Sequence, residues 1–275
     1  MLSYQHAYHA GCYADVVKHI FLTRILSYMT QKDKPFLYLE THSGRGMYDI
    51  KDHYAKKTQE AQDGIVKLWP HKDELPNEFS AYLKIIESIN AQNELRYYPG
   101  SPKLAIDLLR SEDRVYLCEL HPQEIDYLKK IKTREKNIYI EETDGIAKIN
   151  AIVPPKEKRA LIFVDPSYEL KEEYKSIPRA IANDFKKFPT GVYCIWYPIL
   201  ASQAHEILLK QLAKIETDKT LKLEFYVEST NSKGILGTGL YIINPPYILE
   251  QEAQVIFKAL QKVYSDKKTL YKINE

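Results

Sequence analysis

The chain has 275 residues, with 39 Lys and Arg against 37 Asp and Glu and a formal net charge of +2. That length buries roughly three quarters of the extended-chain surface, so core is not scarce, and a charge so near balance excludes a protein that coats nucleic acid over its whole surface. Contact with nucleic acid then has to come from local patches, of which KKIKTREK (129 to 136) and PKEKR (155 to 159) are the densest.

Cys12, Cys118 and Cys194 are odd in number and far apart, which gives neither a disulfide framework nor metal-ligand spacing and suits a reducing cytoplasm. The opening MLSYQHAYHAGCYADVVKHIF has no basic start leading into an uninterrupted apolar stretch, and no run reaches the roughly 18 apolar residues of a membrane span. The expectation is a soluble, unexported, cytoplasmic protein.

From Ala14 to Thr30, Val17, Ile20, Phe21, Ile25 and Tyr28 recur at helical spacing while Leu22 and Leu26 lie on the other side, which predicts a helix covered on both faces. KPFLYLE (34 to 40) reads as a buried strand running into THSGRG, a turn with two glycines. Residues 50 to 96 carry helical patterns such as EFSAYLKIIESIN and no strand, which predicts a small inserted helical subdomain within one domain spanning 1 to 275. The next helix starts at PGSPKLAIDLLR, where Ser101 is a candidate cap and Pro102 suits the first turn. DRVYLCEL (113 to 120), NIYIEETDG (137 to 145), LIFVD (161 to 165) and GVYCIWY (191 to 197) are further strands separated by helix-capable segments. LKLEFYVES (221 to 229) and TGLYIINPP (238 to 246), joined by a glycine-bearing loop, fit a closing hairpin. Strands alternating with helices predict an α/β, doubly wound, mostly parallel sheet with one antiparallel strand added by the hairpin.

In open sheets of this kind ligands collect outside the carboxyl ends of the parallel strands. Gly44 and Gly46 would let the backbone approach a ligand there, although the three-glycine dinucleotide fingerprint is absent and a tight turn needs the same residues. Glu119 ends the second strand, where a carboxylate can accept from both ribose hydroxyls of an adenosine-containing ligand. Asp144 ends the third, where it can meet an adenine amino group or, with Gly145, simply make a turn. Asp165, followed by Pro166, Ser167 and Tyr168, ends the fourth.

This ordered series of acids resembles S-adenosylmethionine-dependent methyltransferases with a seven-stranded Rossmann-like sheet, and Asp165-Pro166-Ser167-Tyr168 resembles the Asp-Pro-Pro-Tyr motif of amino-group methyltransferases. MLSYQHAYHAGCYADVVKH, DKPFLYLETHSGRG, LRYYPGSP, ELHP, DG and a closing INPP are similar to the bacterial 23S ribosomal RNA adenine-N6 methyltransferase family of J type, over nearly the whole chain. The resemblance implies S-adenosylmethionine as cofactor and 23S ribosomal RNA as partner, for a monomer. It implies His19, His42, Ser101, Glu119, Asp144, Gly145 and Asp165 as cofactor-site positions. Tyr4 would contact the RNA, with His6 and Lys18 beside the target base.

The chemistry agrees with that family. Adenine's exocyclic nitrogen is a poor nucleophile because its lone pair is delocalised into the ring. The Asp165 carboxylate and the Pro166 carbonyl can hold its two hydrogens and turn the lone pair outward, Asp165 or water can take a proton, and Tyr168 can stack on a base drawn out of its helix. No metal is needed; His6, His9 and His19 lack a cysteine at ligand spacing. Two departures stand out. Ser167 occupies the motif's second proline position, which restores a backbone N–H. A second match, Asn244-Pro245-Pro246-Tyr247, follows the last strand rather than the fourth and reads as a rigid strand exit. A DNA adenine-N6 methyltransferase would use the same parts, though no additional segment is large enough for a separate DNA-reading domain. A non-catalytic RNA-binding module decayed at Ser167 is the other alternative.

Overall fold

The computed structural model describes residues 5–91, 94–131, 137–228 and 234–274, apart from the side chain of Lys56. Along them lie α1 (Tyr13–Thr30), β1 (Leu37–Glu40), β2 (Met47–Asp49), α2 (His53–Thr58), α3 (Ile65–Leu68), α4 (Ser80–Ile89), β3 (Tyr97–Pro99) and α5 (Ser101–Leu108). There follow β4 (Arg114–Cys118), α6 (Pro122–Leu128), β5 (Ile138–Glu141), α7 (Gly145–Ile152), β6 (Ala160–Val164), α8 (Glu173–Lys187) and β7 (Val192–Leu200). The chain closes with α9 (His205–Leu212), β8 (Thr220–Val227), β9 (Ile235–Ile243), α10 (Leu249–Val263) and β10 (Thr269–Ile273).

The main sheet has the order β10-β8-β9-β7-β6-β1-β4-β5. β5, β4, β1, β6 and β7 are parallel neighbours. β9 runs antiparallel between β7 and β8, and β10 antiparallel beside β8. The sheet therefore has eight strands, not the seven expected, within the same Rossmann-like α/β class. The extra strand, TLYKI, is a partly exposed edge with no apolar run to announce it. By contrast every residue of β1 and β6 is buried, because helices cover both faces of a parallel sheet.

Side chains alternate across those faces, as strand geometry requires. Tyr38, Leu161 and Phe163 join a core with α1, α4, α5 and α10, whereas Leu37, Leu39, Ile162 and Val164 pack with α8 and α9 through Ile177, Ile181, Phe185, Leu208 and Leu212. The α1 helix is buried on both sides, with Val16, Ile20, Phe21, Leu22, Ile25 and Leu26 all sealed from solvent.

Two short strands went unread in the sequence. β2 and β3 pair antiparallel, Met47 with Pro99 and Asp49 with Tyr97, on either side of residues 50–96. Between them the described residues form only helices and turns, anchored through the buried Phe79, Tyr82 and Ile86. The Arg45 guanidinium adds a clamp: it pairs with the buried Glu124 of α6 at 2.9 Å while lying against the rings of Tyr54 in α2 and Tyr127 in α6.

Candidate active site

Parallel register aligns the carboxyl ends of β1, β4, β5 and β6, so the segments that follow each strand meet on one edge of the sheet. They enclose a cavity of about 690 Å³, within the size range of small-molecule sites. His6, Lys18, His19, His42, Ser101, Glu119, Asp144, Gly145, Asp165, Pro166 and Tyr168 all line it, together with Ser167. Tyr4 lies outside the described residues. Asn244, Pro245 and Pro246 are elsewhere: Asn244 donates to the Pro189 and Gly191 carbonyls at the amino end of β7, and Tyr247 is 83% exposed.

The loop after β1 carries two left-handed glycines, Gly44 (φ 59°) and Gly46 (φ 72°). That turn aims the Gly44 N–H at Glu119 Oε2 (2.7 Å), while Glu119 Oε1 accepts from the His121 N–H (2.7 Å). Burial raises the Glu119 carboxyl above its ordinary range, with these two N–H groups opposing. The buried Ser43 hydroxyl in the same loop has no partner among the described residues and borders the cavity. Asp144 caps α7, its Oδ1 accepting from the Ile146 and Ala147 N–H groups at 2.9 and 3.2 Å.

Ser101 is not a cap. Gly100 occupies the cap position of α5, and the Ser101 hydroxyl instead donates to the buried Glu40 at the end of β1. Tyr38 donates to the other Glu40 oxygen at 2.9 Å, yet burial outweighs both hydrogen bonds and pushes the Glu40 carboxyl up to about 8.

A buried charge chain joins the N-terminal segment to the Asp-Pro-Ser-Tyr loop. Asp15 accepts from the Gly11 N–H (2.9 Å) and Lys18 (2.9 Å) and pairs with His6 (2.8 Å); Lys18 also donates to Asp165 Oδ2 at 2.6 Å. Burial alone would raise the Asp15 carboxyl, but His6 and Lys18 hold it well below its usual range. Burial likewise works against the Lys18 charge, and Asp15 with Asp165 more than restores it. The Lys18 ammonium also lies 5.3 Å from the centre of the Trp196 ring. Two histidines in the wall are neutral: burial lowers His19 to about 3 and His42 to about 4, in the latter against the pull of Asp165 and Asp144.

Tyr168 is buried in a left-handed conformation (φ 53°), its hydroxyl donating to the Trp196 carbonyl at 2.8 Å. One ring face stacks on Tyr174, with centroids 4.6 Å apart, and the Trp196 ring lies 6.2 Å away at 43°. Asp15, Glu40, Ser43 and Trp196 escaped the sequence reading. Asp15 sits one helical turn before Lys18 and Glu40 closes an otherwise apolar strand, both visible signals; nothing local marks Trp196, whose place depends on pairing between β6 and β7.

Comparison with known proteins bears on this arrangement. A family model described as ribosomal RNA large subunit methyltransferase D, RlmJ, matches residues 33–274. Ribosomal RNA large subunit methyltransferase J of Haemophilus influenzae is 43% identical over 228 residues, which cover 82% of this chain and 81% of that protein. The protein of that name from Escherichia coli K12 is 40% identical over 227 residues, with the same coverage. A crystal structure of a Legionella pneumophila protein, 48% identical, superposes with a TM-score of 0.92 over 97% of this chain and 98% of that one.

Proposed function

The chain belongs to the RlmJ family of ribosomal RNA large subunit methyltransferases, and from that premise we propose that it methylates the N6 amino group of an adenine in 23S ribosomal RNA, with S-adenosylmethionine as the methyl donor. The observation that carries this reading is the seat of Asp165-Pro166-Ser167-Tyr168, directly after β6 and in the cavity wall that also holds Glu119 and Asp144. S-adenosylmethionine supplies an electrophilic methyl group on a sulfonium.

The residues present fit such a ligand. A carboxylate has about four acceptor positions; Glu119 uses two on backbone N–H groups and keeps two for ribose hydroxyls. Asp144 spends only Oδ1 on its cap, which leaves Oδ2 for an adenine amino group. The unpartnered Ser43 hydroxyl, the neutral His19 and His42, Ser101 and the closely packed Gly145 complete the wall.

Asp165 acts on the substrate. Lys18 holds Oδ2, and Oδ1 has no partner among the described residues, so it is the oxygen that accepts an amino hydrogen while the Pro166 carbonyl accepts the other. Held in this way the amine is oriented towards the methyl donor, and Asp165, or water beyond it, takes the proton that methylation makes acidic. Tyr168 in the cavity wall stacks on the base, His6 and Lys18 lie beside it, and Tyr4 contacts the RNA. Residues 50–96 form an inserted helical subdomain in a single domain, and the protein acts as a monomer in the cytoplasm. No helix among the described residues is long and apolar enough to cross a membrane.

The test is transfer of labelled methyl from S-adenosylmethionine to purified 23S ribosomal RNA and to duplex DNA, with the modified base identified by digestion and mass spectrometry. N6-methyladenosine in the RNA alone is expected. Label only in DNA, or in another base, rejects the reading.

A further inference from the structure

We propose that Tyr82 and Tyr98 are positioning residues that hold His19 in the tautomer with its proton on Nε2, so that the ring donates a hydrogen bond to an acceptor atom of the methyl donor. The proposal rests on the reading that the cavity binds S-adenosylmethionine.

His19 lies on α1 and borders the cavity, yet it is 1% exposed, and Tyr98 and Tyr82 are fully buried behind it. His19 Nδ1 is 2.8 Å from the Tyr98 hydroxyl, whose oxygen is 3.1 Å from that of Tyr82. The Tyr98 ring stacks on the imidazole at 5.5 Å and 23°, which fixes the ring plane as well as its nitrogen.

Three groups therefore share two hydrogen bonds, and the proton count decides their direction. The imidazole is neutral and carries one N–H. If Nδ1 held it, Nδ1–H would donate to Tyr98 and Tyr98 to Tyr82. The Tyr82 hydroxyl hydrogen would then be buried with no acceptor among the described residues, since Tyr98 is its one hydrogen-bond partner there. An unmade bond of that kind carries the full desolvation cost of the donor. In the opposite direction Tyr82 donates to Tyr98 and Tyr98 to Nδ1. Every hydroxyl is satisfied, and the proton is left on Nε2, the ring nitrogen still available to a ligand. S-adenosylmethionine offers carboxylate, ribose and adenine-nitrogen acceptors to such a donor.

The arrangement also ties two parts of the chain together. Tyr82 belongs to α4, inside residues 50–96, and Tyr98 to β3, the strand by which the chain leaves them. Those helices thus supply the buried end of a hydrogen-bond chain whose other end faces the methyl donor.

Long-range proton–nitrogen correlation spectra of histidine-labelled protein test this directly, with the His19 signals assigned by their loss in His19→Asn. The expected wild-type pattern is Nε2–H with an unprotonated Nδ1. In Tyr98→Phe the two nitrogen shifts should move towards each other. The KM for S-adenosylmethionine should rise about tenfold with kcat at saturating donor within about twofold, the scale of one lost hydrogen bond. A wild-type Nδ1–H tautomer overturns the proposal, as do unchanged shifts and KM in a folded Tyr98→Phe. Failure of the wild type to bind S-adenosylhomocysteine would instead reject the methyl-donor site, and the spectra would still decide the tautomer.

Discussion

Glu40 is a residue whose chemistry departs far from its appearance in the sequence. In the unfolded chain it ionises near 4.5, whereas burial moves it to about 8 in the fold. Between those values the folded protein keeps a proton that the unfolded chain has released, so stability contributed at this site falls as pH rises through the window. Glu40→Gln keeps one carbonyl acceptor for Ser101 or Tyr38, replaces the other oxygen by an NH2 that must donate to the remaining hydroxyl, and cannot ionise. The variant should gain on the wild type with rising pH, by on the order of a few kcal/mol in total, and the gain should level off above about pH 8. Urea midpoints at about pH 5 and about pH 8.5 measure this, and parallel curves would mean that Glu40 is not the proton holder. The same residue marks how far local reading reaches. Asp165 and Glu119 were legible because each directly follows a recognisable apolar run, and Asp144 because it comes within a few residues of one, next to a glycine. The partnership of Lys18 with Asp165 spans 147 positions and exists only once α1 lies against the sheet edge.

At the scale of elements, strands carrying an apolar run were read, the partly exposed β5 among them, whereas the three-residue strands and the edge strand β10 were not. β2 and β3 have three residues each, and β10 alternates Leu, Tyr and Lys at a partly exposed edge. The start of α7 shows what an element adds to a motif. Asp-Gly reads in sequence as either a ligand contact or a simple turn; in the fold Asp144 is a helix cap and Gly145 packs on the β1 loop. A Cβ on Gly145 would lie 2.2 Å from the Thr41 carbonyl oxygen and 2.4 Å from its Cα. Backbone cannot rotate out of the way, so Gly145→Ala must push the start of α7, with Asp144, away from β1. The expected result is a folded protein less stable by about 1–3 kcal/mol, the usual range for an overpacked site, that binds S-adenosylhomocysteine more weakly. Thermal melts and titration calorimetry measure the two effects. Unchanged affinity in a destabilised variant would remove the α7 start from the methyl-donor site.

At the scale of the whole molecule, strand direction separates the two copies of the proline-tyrosine motif, the second of which reads in the sequence as a rigid strand exit. Asp165 follows the carboxyl end of β6, whose parallel neighbours β1 and β7 run the same way. Asn244 follows β9, which is antiparallel: Ile243 pairs with Tyr193 near the start of β7, while Ile235 pairs with Leu200 at its end. The second motif therefore leaves the sheet at the amino-terminal edge, a full strand length from the cavity, and strand direction separates two segments of nearly the same composition. There Asn244 adopts a left-handed backbone (φ 55°) and ties two carbonyls of the α8–β7 connection. Asn244→Ala loses both hydrogen bonds and strains the backbone, at a cost of about 1–3 kcal/mol in stability, but leaves every cavity residue in place, so methylation should persist. Asp165→Ala removes the acceptor that orients the amine, an effect commonly worth about 10² to 10⁴ in rate, and it also leaves Lys18 with only Asp15 as a carboxylate partner. Near-complete loss of methylation with the circular dichroism spectrum retained is expected. If the two variants, assayed on the same 23S ribosomal RNA, gave the reverse pattern, catalysis would have to be reassigned to the amino-terminal edge, where neither Glu119 nor Asp144 can reach.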